Sequence, residues 1–206
     1  MNIRKPRIYL CSQSPRRREL LKQIGVNYEM LLLRNDPRRT VSVDETPQDN
    51  EDPLVYVQRV CHAKALAGWE AILHRNLPPF PVLAADTTVT IDGQIIGKPR
   101  DNAHAAEILR TLSGRQHQVL TAIAVSFDER TEMCVSSTTV NFAKLDEERI
   151  HRYLLSHEAH DKAGAYGIQG LAGAFVERIE GSYTGVMGLP LFETVELLKA
   201  FGYRTA

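Results

Sequence analysis

The apolar run Arg7–Cys11 gives way at once to Ser12-Gln13-Ser14-Pro15, and Pro15–Ile24 then carries helix-forming residues up to Gly25. A buried strand that turns directly into a helix, opened by Ser14 and Pro15 and stopped by glycine, restricts the chain to folds in which helices pack on a sheet. The rest of the sequence continues that alternation. Asn27–Leu33 reads as a second strand, and Asp52-Pro53 opens a long helix to about Arg75. Between them, residues 34–51 hold eight charged residues and two prolines among 18, which predicts a loop.

After the connector Asn76–Pro81, Val82–Ala85 reads as a short strand ending at Asp86. Thr88–Ile91, Asp92-Gly93 and Gln94–Ile96 form a hairpin pattern whose Asp-Gly pair suits a type I′ turn. A helix is expected over Asn102–Leu112, strands over His117–Phe127 and Glu132–Ala143, and a helix from Asp146 to about Ser156. The glycine-rich stretch Lys162–Gly173 leads to a strand at Ala174–Ile179, a loop through Leu189, and a last helix from Pro190 to Phe201 closed by Gly202. The pattern predicts an α/β fold of mixed α+β character, with a long mixed sheet flanked by helices. With 206 residues and 43% hydrophobic content, a single domain spanning residues 1–206 is expected.

Lys plus Arg equals Asp plus Glu at 25 each, so no net field draws the chain to nucleic acid or an anionic membrane. The basic runs at Arg16–Arg18 and Arg38–Arg39 lack interleaved aromatics, which argues against nucleic-acid binding. Cys11, Cys61 and Cys134 are odd in number and far apart, with no C-x-x-C spacing, and fit a reducing cytoplasm. The apolar run after the basic start is too short for a signal peptide or a membrane span.

Arg16, Arg17 and Arg18 occupy a first helical turn, where the helix dipole disfavours positive charge. A phosphate held at the open N–H groups would reverse that cost; a solvated basic turn is the plainer alternative. Asp86, read as the end of a strand, is placed either for metal or proton work or as a turn cap. Lys64 shares a helix face with Val57 and Cys61, so its ammonium must snorkel or meet an anion. Lys98, between Gly97 and Pro99, suits a fixed phosphate contact or a surface turn. His157 and His160 are three apart and lack the spacing of a zinc protease helix; carboxylates such as Asp86 with Glu45 or Glu158 suit magnesium or manganese better.

Five or six blocks, in order, resemble the Maf family of nucleoside triphosphate pyrophosphatases. They are Ser12-x-Ser14-Pro15-Arg16-Arg17-x-Glu19-Leu20-Leu21, Ala85-Asp86-Thr87, Gly97-Lys98-Pro99, Leu112-Ser113-Gly114 with His117, and Asp161-Lys162-Ala163-Gly164-Ala165-Tyr166-Gly167-Ile168-Gln169-Gly170, extended by Gly181-Ser182-Tyr183 and Val186–Pro190. The resemblance implies two lobes with a nucleotide cleft between them and metal-dependent hydrolysis of the α–β phosphoanhydride to a nucleoside monophosphate and pyrophosphate. It implies Asp86 as proton acceptor and metal ligand, and Arg16, Arg17, Lys64 and Lys98 as phosphate contacts, with Ser12 and Ser14 lining the same turn. Glu45, or its neighbour Asp44, and Glu158 would be further carboxylates near a magnesium or manganese ion.

Arg16, Thr87 and Gln169 match positions that separate the family's subgroups, and Tyr166-Gly167-Ile168-Gln169-Gly170 resembles the dTTP/UTP subgroup. An amide such as that of Gln169 offers the donor and acceptor that the N3–H and carbonyl of uracil or thymine require. The resemblance thus implies a cytoplasmic house-cleaning hydrolase of nucleotide metabolism, with a small-molecule nucleotide as partner, and leaves open whether it pairs as a homodimer. The alternatives are a pyrophosphatase for a methylated guanine nucleotide and a nucleotide-binding regulator of septum formation.

Overall fold

The computed structural model describes residues 7–33 and 43–203. Among them run β1 (Ile8–Cys11), α1 (Pro15–Gln23), β2 (Tyr28–Met30), α2 (Pro53–His74), β3 (Val82–Ile91) and β4 (Gln94–Ile96). There follow α3 (Asn102–Leu112), β5 (Gln116–Phe127), β6 (Arg130–Phe142), α4 (Glu147–Leu154), β7 (Val176–Glu180), α5 (Tyr183–Met187) and α6 (Leu191–Ala200). Two 3₁₀ turns, Ala163–Ala165 and Leu171–Phe175, lie within the glycine-rich stretch. Of the expected 34–51 loop, residues 43–51 carry neither helix nor strand, while 34–42, with Arg38 and Arg39, lie outside the described residues. No helix among the described residues is long and apolar enough to cross a membrane.

The predicted mixed sheet is present. Its order is β2-β1-β3-β5-β6-β7, with β4 also on β3; β1 pairs in parallel with β2 and β3, and every other pairing is antiparallel. Capping follows the sequence signals: Asp52 accepts from the amides of Leu54 and Val55, Asp101 from His104, and Asp146 from Arg149. At the β3–β4 turn Asp92 and Gly93 both have positive φ, 52° and 73°, as a type I′ hairpin requires.

One boundary differs in a way that matters for the site. The strand expected to end at Asp86 continues to Ile91, so Asp86 stands in mid-strand, in register with Ala122 of β5. The polar run Asp86-Thr87-Thr88 interrupts the apolar pattern, yet Asp86 and Thr87 find side-chain partners and the backbone ladder persists.

Both faces of the central strands are covered. On one face Ile8, Leu10, Leu83, Ala85, Ile123 and Val125 pack against α1 and α6 through Leu20, Leu21 and Leu198. On the other, Tyr9, Val82, Ala84, Ala122 and Ala124 meet Val57, Cys61, Ala65 and Ile72 of α2. Helix and sheet approach closely there, because a Cβ on Gly68 would lie 2.7 Å from Val82 Cγ1. The far ends of β3, β5 and β6 belong to a third core, built with α3, α4 and the 3₁₀ turns around Phe142, Tyr166 and Phe175.

Between these cores the sheet is incomplete along one edge. β5 covers β3 from Val82 to Thr90, whereas on the opposite edge β1 pairs only Val82–Ala84 and β4 only Val89–Ile91. Ala85–Thr88 are therefore unpaired on that edge, and β1, β4 and the segments after them frame the opening.

Candidate functional site

A cavity of about 820 Å³ lies over this gap, and Ala85, Asp86, Thr87 and Thr88 all line it. Such a volume falls in the range of small-molecule sites. Ser12, Ser14, Arg16 and Arg17 reach it from the β1–α1 turn, Lys64 from α2, Glu45 from the segment before α2, and Lys98 and Gln169 from the two connecting turns. Five cationic side chains, with Lys162 the fifth, face three acidic ones, Glu45, Asp86 and Asp161. The lining thus carries an excess of positive charge in a chain whose formal net charge is zero.

Arg17 has the most constrained geometry. Its Nε donates to the Gly188 carbonyl at 2.7 Å, Nη1 to Ser12 Oγ at 3.1 Å and Nη2 to Thr87 Oγ1 at 3.1 Å. All three acceptors are neutral, and among the described residues no carboxylate pairs with this guanidinium. Burial lowers its pKa, while the nearby Asp86 charge opposes that shift. Each Nη keeps one unengaged hydrogen, so a fixed, uncompensated charge is left to meet an anion. Ser12 Oγ also accepts from the Ser14 amide at 3.2 Å, and its own hydrogen remains available. Ser14, the N-cap of α1, makes no side-chain cap bond, and the first turn holds no acidic residue, as the three-arginine sequence implies. Arg16, by contrast, is paired with Asp161 at 3.2 Å.

Lys64 meets anions rather than snorkelling. Its Nζ lies 2.7 Å from Asp86 Oδ1 and 3.0 Å from Glu45 Oε1, so two carboxylates share one ammonium. Between the two acids left open by the sequence, Glu45 is the one in the cavity, while Asp44 accepts from the Thr46 amide at 2.9 Å. Residues of α2 hold this segment in place. Tyr56 donates to the Glu45 carbonyl at 3.0 Å, and Arg59 donates to the carbonyls of Asp44 and Thr46 while forking onto both Glu51 oxygens. The fork pulls the Glu51 carboxyl down to about 2; burial, helped by Asp86 and Glu45, pushes the Tyr56 phenol up to about 12.

Glu158 does not join the group. Its carboxylate accepts from the Leu171 amide at 3.1 and 3.3 Å and closes the second 3₁₀ turn, away from the cavity lining. A Cβ on Gly170 would sit 2.1 Å from Glu158 Oε2, which fixes how tightly that contact is built. Its observed partner is thus a backbone amide, and it stands apart from the Asp86 and Glu45 carboxylates expected beside it. Among the described residues no three His, Cys, Asp or Glu side chains converge as a metal-binding group.

Thr87 lines the cavity too; its hydroxyl accepts from Arg17 and lies 3.0 Å from Thr121 Oγ1. Lys98 and Gln169 are exposed at the cavity, and the Gly97 carbonyl accepts from the Gly164 amide at 3.1 Å, fastening their two turns together. Sequence reasoning about individual residues did not single out Asp161, Lys162, Tyr56 or Arg59; an acid beside a lysine in a glycine-rich stretch was the available signal for the first two.

A mixed α/β sheet whose interrupted edge is roofed by a cation-rich, nucleotide-sized cavity defines a class of protein built to hold an extended anion beside a carboxylate. The description "Maf-like protein" matches residues 7–201, and the chain belongs to that family. Relatives named dTTP/UTP pyrophosphatase include a protein of Nitrosomonas europaea, 53% identical over 195 residues covering 95% of this chain and 94% of that one. One from Aromatoleum aromaticum is 54% identical over 198 residues and 96% of each chain. Among solved structures, that of the Staphylococcus aureus Ham1 protein aligns with a TM-score of 0.46 and 16% identity over 66% of this chain and 72% of that one.

Proposed function

We propose that the protein is a nucleoside triphosphate pyrophosphatase acting on dTTP and UTP, releasing the nucleoside monophosphate and pyrophosphate. The observation that carries this reading is the position of Arg17, a fixed guanidinium with no carboxylate partner among the described residues, in the same cavity as Asp86. The relatives' shared name supports the substrate pair.

In this reading the triphosphate lies along the β1–α1 turn, with the two parts of the sheet on either side of the gap acting as lobes. Asp86 accepts the proton of the attacking water, and Arg17 and Lys98 stabilise charge as the α–β bond breaks. Ser12, Ser14 and Arg16 hold phosphate oxygens, Thr87 acts through Arg17, and Gln169 reads the N3–H and carbonyl edge of the base. The donor set at Asp86 and Glu45 fits magnesium or manganese, hard cations that take one or two carboxylates plus substrate phosphate oxygens. When bound, such an ion supplies charge neutralisation on the phosphates. Lys64 orients the same two carboxylates. The reading carries a cytoplasmic location, in line with free Cys11, Cys61 and Cys134, and a small-molecule rather than nucleic-acid partner.

The test is a release assay over a panel of ribo- and deoxynucleoside triphosphates with magnesium or manganese, scoring pyrophosphate separately from phosphate. Pyrophosphate from dTTP and UTP in preference to other bases is the expected result. Orthophosphate alone, or no product from any canonical nucleotide, overturns it.

A further inference from the structure

Arg17 is held by a closed ring of contacts, two members of which, Thr121 and Gly185, lie behind the cavity lining. Thr87 and Thr121 face each other across the β3–β5 pair, with hydroxyls 3.0 Å apart. Thr121 is fully buried, absent from the cavity lining, and its Oγ1 donates to the Gly185 carbonyl at 2.8 Å. Because that bond uses the only hydroxyl hydrogen of Thr121, and Thr87 already accepts from Arg17, the Thr87 hydroxyl donates to Thr121. Every oxygen and hydrogen in the chain from Arg17 to Gly185 then has one assigned direction.

Gly185 belongs to α5, which the Ser182 hydroxyl caps through the Gly185 amide at 3.0 Å. The same turn ends at Gly188, with φ of 114°, whose carbonyl accepts from Arg17 Nε. The path thus runs from Nη2 through Thr87 and Thr121 to Gly185, along α5 to Gly188, and back to Nε. It fixes the plane of the guanidinium from two sides with neutral partners alone.

We propose that Thr121 is a positioning residue for phosphate recognition, acting through Thr87 to aim the Arg17 guanidinium; this rests on the pyrophosphatase reading for its kinetic expression. The Thr121 hydroxyl touches no substrate, and its loss leaves Thr87 free to turn its hydrogen elsewhere and Arg17 free to rotate about its remaining anchors.

The experiment compares Thr121→Val, Thr121→Ser, Thr87→Val and the Thr87→Val/Thr121→Val double variant. It measures dTTP turnover and, separately, calorimetric binding of inorganic tripolyphosphate to the same preparations. Thr121→Val is expected to lower kcat about three- to tenfold, the scale of one lost hydrogen bond, with a smaller change in KM. Thr121→Ser is expected to restore the wild-type rate, and the double variant to be no slower than Thr87→Val alone, since both interrupt one chain. Wild-type kcat in Thr121→Val, an equal loss in Thr121→Ser, or multiplying effects in the double variant would overturn the proposal. If Thr121→Val lacks a cooperative melt, Thr121→Ala takes its place. If the wild type turns over no nucleotide, the pyrophosphatase reading fails while the ring is still judged by tripolyphosphate affinity, weaker in Thr121→Val if it stands and unchanged if it does not.

Discussion

The ammonium of Lys64 lies 2.7 Å from the carboxylate of Asp86, and both side chains are largely shielded from water. The same ammonium holds Glu45, so Asp86 is oriented by a cation that is itself shared. On the proposed mechanism, replacing the Asp86 carboxylate by an amide removes the proton acceptor while nearly conserving the shape of the side chain. Asp86→Asn is expected to lower kcat by about 10²-fold or more, the scale of general-base catalysis, with melting temperature close to wild type. Pyrophosphate release at the wild-type rate would take Asp86 out of the reaction.

Arg17→Ala and Lys98→Ala are each expected to reduce turnover by roughly 10²-fold, as loss of a donor to developing charge does. Arg17→Lys should recover little, because one ammonium cannot serve the Gly188, Ser12 and Thr87 acceptors together. Steady-state kinetics with dTTP checks both.

Base preference should respond to Gln169→Glu, since a carboxylate keeps the acceptors but loses the donors of the amide. The ratio of kcat/KM between dTTP and a purine triphosphate is expected to change, whereas an unchanged ratio would assign base reading elsewhere.

Glu158→Gln is expected to leave the metal concentration for half-maximal activity unchanged, because that carboxylate is spent on the Leu171 amide. Its effect on denaturant unfolding should be small, because the glutamine oxygen still accepts from that amide, whereas Glu158→Ala, which removes the acceptor, should cost about 0.5–2 kcal/mol. A large shift in metal requirement with unchanged stability would restore Glu158 to the metal site.

His117 is buried, with Nε2 2.8 Å from the Tyr166 hydroxyl and Nδ1 without a partner among the described residues, and burial lowers its pKa to about 4. The unfolded chain binds a proton near the ordinary histidine value, so it holds more protons than the folded protein between about pH 6.5 and 4. This contribution to stability is complete above pH 6.5 and lost as the pH falls through that window. Unfolding free energy should drop by an amount on the order of 3 kcal/mol there, and His117→Phe should flatten that part of the profile.

Much of this architecture is legible in the sequence because its signals are local. Asp52-Pro53 marks the start of α2, Asp92-Gly93 the hairpin, and Gly202 follows the last helix. The site residues at the β1–α1 turn, in β3 and in the two connecting turns are likewise brought together as the family resemblance implies. What could not be read is tertiary. Asp86 looked like a strand terminus because nothing local reveals that Lys64, 22 positions away, supports a buried carboxylate in mid-strand. The bond from the Leu171 amide to Glu158 was likewise illegible, because a backbone partner has no sequence signature. The five-residue α5 carries too short a pattern to register, yet it and its C-cap Gly188 supply the two carbonyls that end the ring around Arg17.

The unpaired stretch of β3 bears on solubility as well. An open strand edge is ordinarily a template on which another chain can add a strand and begin to aggregate. Here the unpaired length is four residues, Ala85–Thr88, or roughly 13 Å, and β1 and β4 wall it at both ends. A foreign strand has no room to lie down in register, whereas a small ligand does. The interruption thus leaves strand edge unpaired beside the cavity without making it a seed for polymerisation.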